Sequence, residues 1–144
     1  MTRRKSDNPS RLIIGCGYLG QRVARRWIQS GSTVFATTRS AANADILSSE
    51  NIHPIIGDVT ATEGSPEFLS DLPEVDTILW AVGFDRNANA SYHDVHVTGL
   101  LHILEQIPNT PRVIFISSTG VWGNETADDV DAVSYTHLTL PTKA

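Results

Sequence analysis

Gly15, Gly17 and Gly20 stand at G-x-G-x-x-G spacing in the stretch Gly15-Cys16-Gly17-Tyr18-Leu19-Gly20. The spacing carries meaning only between a buried strand and a helix, and both flanks fit. Leu12-Ile13-Ile14 is a short apolar run, and after Gly20 the residues Val23, Ala24, Trp27 and Ile28 recur at helical spacing up to Gly31. Such a strand-turn-helix unit is a cradle for a pyrophosphate. Gly15 allows the tight turn, Gly17 lets the diphosphate approach the backbone, and Gly20 lets the helix pack close to the strand, while the helix N-terminus faces the anion. Tyr18 and Leu19 complete the expected binding loop. Cys16 reads as a small filler rather than a nucleophile, since no base is evident beside it.

A dinucleotide site of this kind that prefers NAD places an acidic residue about 20 positions further on, at the ribose 2'-hydroxyl. The sequence there is Thr37-Thr38-Arg39-Ser40, which has hydroxyls and a guanidinium in place of a carboxylate. An Arg fork suits the dianionic 2'-phosphate of NADP, so Thr38 and Arg39 favour NADP, with NAD as the alternative. The plainer reading of Arg39 is a solvated loop cation, and Arg22 is open to the same two readings. Further along, Gly57-Asp58-Val59 closes an apolar run. Asp58 can accept from the adenine amine with Val59 on the ring, or act simply as a turn or cap residue.

The elements that must hold these groups alternate regularly. Strands are expected at Leu12–Ile14, Thr33–Thr38, His53–Gly57, Val75–Val82 and Arg112–Ile116. Helices are expected after Gly20, over Ala41 to Ser48, around Pro66 to Ser70, and between Ala90 and Ile107, where Val97, Leu100, Leu101, Leu104 and Ile107 follow a 3.6-residue period. This pattern predicts an α/β fold: a Rossmann-like, doubly wound parallel sheet in three αβα layers, with ligands at the carboxyl ends of the strands.

Composition narrows the class. With 144 residues, 40% of them hydrophobic and 19% charged, the chain has the size and make-up of one ordinary globular domain. A net charge of -5 argues against nucleic acid as a partner. Cys16 is the single cysteine, which excludes an internal disulfide and a thiolate zinc cluster and suits a reducing cytoplasm. The basic start Met1-Thr2-Arg3-Arg4-Lys5 is followed by polar residues, not by the apolar run of a signal peptide. No run reaches the roughly 18 apolar residues of a membrane span. His93 and His96 stand three apart on one helical face, but with no third ligand to place they read as solvated, and the acidic group Asp128, Asp129 and Asp131 reads as a solvated loop. No metal site is expected.

The order of motifs resembles the extended branch of the short-chain dehydrogenase/reductase superfamily, the NAD-dependent epimerase/dehydratase family, over about residues 11 to 123. Ala81-Val82-Gly83 is similar to that family's cofactor-lining segment after the fourth strand, and His96-Val97-Thr98-Gly99-Leu100 to its Asn-Val-x-Gly-Thr signature, with His96 standing where Asn is usual. Phe115-Ile116-Ser117-Ser118-Thr119-Gly120-Val121-Trp122-Gly123 resembles its strand-five Ser-Ser-x-x-Val-Tyr-Gly segment. The resemblance places Ser118 at the catalytic hydroxyl, hydrogen-bonded to a substrate carbonyl or alcohol oxygen while hydride moves to or from the nicotinamide. Ser117 and Thr119 are neighbouring hydroxyls that can share or compete for that task. The implied substrate is a small, polar, sugar-like molecule, and a homodimer of the full-length protein is compatible with the family.

The family's acid/base is a Tyr-x-x-x-Lys pair, in which the ammonium lowers the phenol pKa. Tyr135 is followed by Thr139 at that spacing, and Lys143 lies further on. Residues Val133 to Thr142 also resemble a translated sequencing adapter, which implies that native sequence stops near Ala132. The expected organisation is therefore an N-terminal tail over 1–10, an NAD(P)-binding domain over 11–132, and a non-native or disordered tail over 133–144. The chain reads as an inactive fragment of an oxidoreductase or epimerase, incomplete at its C-terminus; the alternative is a non-catalytic, dinucleotide-binding regulatory module.

Overall fold

The structure is a computed structural model, and it describes residues 8–59, 74–83 and 91–116. The expected helix at Pro66 to Ser70 lies outside these residues, as do Ser117, Ser118, Thr119, Tyr135, Lys143 and the acidic group near Asp129. Five strands, β1 (Ser10–Ile14), β2 (Thr33–Thr38), β3 (His53–Ile56), β4 (Thr77–Trp80) and β5 (Arg112–Phe115), form one parallel sheet in the order β3-β2-β1-β4-β5. Helices α1 (Tyr18–Gln29) and α2 (Ala41–Ser49) connect the first three strands. A π-helical turn, Asp94–Thr98, runs directly into α3 (Gly99–Gln106) before β5.

Strand β1 shows why the fold has three layers. Its side chains alternate in direction, and all three of its apolar residues are fully buried. Leu12 and Ile14 join Ile78, Trp80, Ile103 and Ile107 beneath α3, while Ile13 joins Ala24, Val34, Ala36 and Leu47 beneath α1 and α2. Each buried Leu, Ile or Val among them contributes roughly 1.5–3 kcal/mol of apolar burial. The strand is thus buried on both faces at the point where the chain switches direction across the sheet, between β1 and β4, and ligand crevices form there.

Several boundaries differ from the sequence expectation for identifiable reasons. The sheet begins at Ser10, inside the stretch assigned to the tail, because Asp76 Oδ2 accepts from the Ser10 N–H at 2.9 Å. Helix α1 begins at Tyr18, before Gly20, and closes by a bond from the Ser32 N–H to the Trp27 carbonyl. Strand β4 is shorter than Val75–Val82: Val75 is held at its start by the Asn109 amide, and past Ala81 the ladder loses its partner where β1 turns at Gly15.

The largest correction concerns the last helix. Of the expected face, Ile107 is buried and Leu100 and Leu104 pack against the core, but Val97 is 42% and Leu101 56% exposed, while Val95, His96, Gly99 and Ile103 are buried. The π turn is wound wider than an α turn, which rotates the helix face away from the one that a uniform 3.6 period selects. It also separates the two histidines: His93 is exposed and His96 is 6% exposed, so they share no solvated face. Among the described residues no group of three or more His, Cys, Asp or Glu side chains is arranged to hold a metal, and no helix is long and apolar enough to cross a membrane.

Candidate functional site

The carboxyl ends of β1, β2, β3 and β4 open into one cleft of about 450 Å³. Each strand end delivers a segment that the sequence singles out: Gly15 to Gly17 from β1, Thr38 and Arg39 from β2, Asp58 and Val59 from β3, and Ala81 to Gly83 from β4. The parallel register brings these together although they are far apart in the chain. Tyr18 and Leu19 form the first turn of α1 and are exposed, Tyr18 at 77%.

The three glycines meet three different demands. Gly15 has φ +85°, and a Cβ placed on it would lie 2.7 Å from the Ala81 carbonyl oxygen and 2.8 Å from Val82 Cα. Only glycine satisfies both that conformation and that contact. At Gly20 a Cβ would stand 3.0 Å from the Gly15 carbonyl oxygen and 3.1 Å from Ile13 Cγ2, the close helix-to-strand packing expected of the third glycine. At Gly17 a Cβ would meet nothing within 4 Å. No neighbouring atom therefore crowds a Cβ at position 17, and what the absent side chain leaves open is space beside the N-terminus of α1. A pyrophosphate fits this cradle on geometric grounds: it would take the open space at Gly17 and face the unpaired N–H groups of a helix start.

Other residues of the cleft were not singled out by sequence. The Thr37 hydroxyl accepts from the Gly15 N–H at 3.3 Å and so ties the glycine turn to β2. Ser40 caps α2, its hydroxyl accepting from the Asn43 N–H at 3.1 Å, and both line the cleft next to Arg39. A Ser immediately before a helical stretch is a cap signal readable from sequence. Val95 reaches the cleft only because of the π turn, which sequence does not announce. Arg39 is exposed and forms no ion pair among the described residues, whereas Arg22 stacks on the Tyr18 ring, 4.4 Å from its centroid.

Cys16 lines the same cleft but is buried, and burial, reinforced by Glu50 and opposed by Arg25, raises its pKa from 9.0 to about 11. The thiol is held protonated, as a filler would be. Alkylation by iodoacetamide at pH 7.5, followed by intact mass, is expected to run about 100-fold slower than for a free cysteine, in step with the lost thiolate. Modification at the free-thiol rate would mean that the site is more open than described.

A sequence profile of the NAD dependent epimerase/dehydratase family matches residues 12–143. No curated protein sequence matches the chain significantly. Among solved structures, a short-chain dehydrogenase/reductase of the glucose/ribitol dehydrogenase type from Brucella melitensis superposes with a TM-score of 0.66 at 14% identity, covering 90% of this chain and 63% of that one. A short-chain dehydrogenase from Streptomyces avermitilis gives 0.61 at 19% identity, covering 83% and 52%. The RhlG/NADP active-site complex from Pseudomonas aeruginosa gives 0.58 at 22% identity, covering 88% and 60%. At such identities the likeness is one of fold, and the chain spans less than two thirds of each of these proteins. The strand order, the glycine turn packed on the end of β4 and the profile match converge on one statement: the chain belongs to the NAD dependent epimerase/dehydratase family.

Proposed function

We propose that the cleft binds NADP(H) and that the chain is the cofactor-binding part of an oxidoreductase or epimerase acting on a small, polar, sugar-like carbonyl or alcohol. The observation that carries this reading is the open space at Gly17, where a Cβ would meet no atom within 4 Å beside the N-terminus of α1. Gly15, Gly17 and the first turn of α1, with Tyr18, Leu19 and Gly20, hold the pyrophosphate. Arg39 holds the 2'-phosphate with Thr38, and Ser40 and Asn43 at the start of α2 support it. Asp58 and Val59 flank the adenine, and Ala81 to Gly83 line the path toward the nicotinamide. The bound cofactor supplies or takes up hydride. Ser118, at the family's hydroxyl position, hydrogen-bonds the reacting oxygen of the substrate and stabilises charge there. The NADP complex named for the Pseudomonas aeruginosa structure supports the choice of cofactor.

The test is a titration of the purified chain with NADPH and NADH, following tryptophan fluorescence. Saturable, tighter binding of NADPH is expected; binding of neither by a folded protein rejects the reading. Arg39→Ala is expected to weaken NADPH by about 10- to 100-fold, the range of a charge-assisted hydrogen bond, and to leave NADH nearly unaffected. An equal loss for both cofactors would remove Arg39 from the 2'-phosphate. A non-catalytic binding module is the second reading, favoured by Tyr135 having Thr139 where the family has Lys. Turnover of any sugar-like carbonyl by the chain would dismiss it.

A further inference from the structure

Trp80 is the last residue of β4, fully buried, and its indole Nε1–H donates to His96 Nδ1 at 3.0 Å. An imidazole that accepts at Nδ1 must carry its proton at Nε2, so this bond fixes the neutral tautomer of His96. The ring is closed in by aromatic neighbours: Tyr92 at 4.3 Å between centroids, Phe115 at 5.9 Å and Trp80 at 6.3 Å. Trp80 and Phe115 are paired across β4 and β5, and the Ile116 N–H continues the ladder to the Trp80 carbonyl. His96 therefore touches the carboxyl ends of both strands at once, where the polypeptide passes into the cleft.

From Trp80 the contacts run straight to the cofactor cradle. Ala81 and Val82 follow it in the chain and form the backbone surface on which Gly15 turns, the Ala81 N–H donating to the Ile14 carbonyl at 2.8 Å. On the helix side, the π turn directs two consecutive residues inward, Val95 to the cleft and His96 to Trp80. Gly99 lets the same helix sit close to the turn after β3, since a Cβ there would lie 3.1 Å from the Val59 carbonyl oxygen, with Trp80 Cη2 in ordinary contact at 3.5 Å.

We propose that His96 is a positioning residue: by accepting the Trp80 indole hydrogen bond, its neutral imidazole latches the end of β4 in the geometry that the dinucleotide requires, and protonation of His96 releases that latch. The inference rests on the NADP(H) reading of the cleft. A protonated imidazole is a donor at both nitrogens, so it cannot accept from the indole. Burial already holds the His96 pKa below its ordinary value. Among the described residues, the surrounding elements bring little charge to the ring. Strands β4 and β5 present Trp80 and Phe115, with Asp76 and Arg112 toward their opposite, amino ends; the turn after β3 carries Asp58; and the helix carries Tyr92, His93, Asp94 and His102.

The experiment is calorimetric titration of the 144-residue chain with NADP+ between pH 5 and 8, for wild type, His96→Asn, His96→Leu and Trp80→Phe. The 2'-phosphate titrates near pH 6 in every variant, so the difference between variants isolates His96. Asn can present its Oδ1 roughly where Nδ1 stands, so His96→Asn is expected to bind within about threefold of wild type at pH 7.5 and to lose the part of the acid decline that belongs to the imidazole. His96→Leu and Trp80→Phe, which remove the acceptor and the donor, are each expected to bind about tenfold more weakly at pH 7.5, the scale of one hydrogen bond. Thermal melts confirm that each variant is folded. In wild type, the Trp80 indole N–H resonance in a ¹⁵N-labelled sample should move with the same pH midpoint as the affinity, a readout independent of any variant. Wild-type binding with an unchanged acid limb in His96→Asn, or an indole resonance indifferent to pH, overturns the latch alone; absence of NADP+ binding by wild type at pH 7.5 overturns the cofactor reading and the latch with it.

Discussion

Gly17→Val is expected to weaken dinucleotide binding by at least about 100-fold, or about 3 kcal/mol, while the chain stays folded. The two effects separate because the position is vacant on the protein side. A Cβ there meets no atom within 4 Å, so the free protein has room for the start of a side chain. It occupies instead the space beside the α1 N-terminus that a pyrophosphate needs in order to reach backbone N–H groups. The cost to the fold is that of Val in place of Gly at a helix cap, about 1 kcal/mol. Urea denaturation and NADPH titration of the same sample measure both quantities. A variant that binds NADPH like wild type would show that the open space at Gly17 serves no ligand.

Gly15→Ala is expected to do the opposite, damaging the fold before any ligand is added. At φ +85° an L side chain is strained by roughly 1–2 kcal/mol. The methyl group would also press within 2.7–2.8 Å of the Ala81 carbonyl and Val82 Cα, backbone atoms held in place by the β1–β4 ladder. Overpacking of this kind adds typically 1–3 kcal/mol, so a total loss of about 2–5 kcal/mol is expected in chemical denaturation. That is a large share of the stability of a small domain. An unchanged denaturation midpoint would mean that β4 is free to move away from the glycine turn, which would also loosen the argument for His96.

Much of this architecture was legible in the residues. Strand β2 runs from Thr33 to Thr38 as its β-branched run predicts, and α2 extends one residue beyond its expected end. These elements were readable because propensity, burial and turn chemistry agree there: Gly31 stops α1 before β2, and Ser40 caps α2 after it. The strand ends also carried the cleft residues in sequence order, since a parallel sheet gathers every such end on one edge. Agreement was lost at Asp94–Thr98. There Val97 and Leu101 sit at ideal helical spacing, yet a single wide turn rotates them outward and brings Val95 and His96 inward. Periodicity assumes one pitch throughout a helix, and local winding answers to tertiary contacts such as Gly99 against the Val59 carbonyl. Partners distant in sequence were equally hidden, for no local rule joins the Thr37 hydroxyl to the Gly15 N–H or the Trp80 indole to His96.

The place of β1 between β2 and β4 has a consequence for how the chain is made. Strand β2 follows after the single crossover helix α1, but the partner on the other side is remote, as the bond between Ser10 and Asp76 across 66 residues records. A ribosome adding 5–20 residues per second leaves that second edge uncovered for seconds after β1 has emerged. Leu12 and Ile14, whose shared face packs on Phe35 and Ile55 from the earlier strands, spend that interval without Ile78, Trp80 and α3. Folding is therefore expected to be limited by the late arrival of β4 rather than by the early βαβ unit, the ordinary penalty of non-local pairing. The same strand that completes the nucleotide cradle is thus the one that ends the nascent chain's exposure to chaperones and to aggregation.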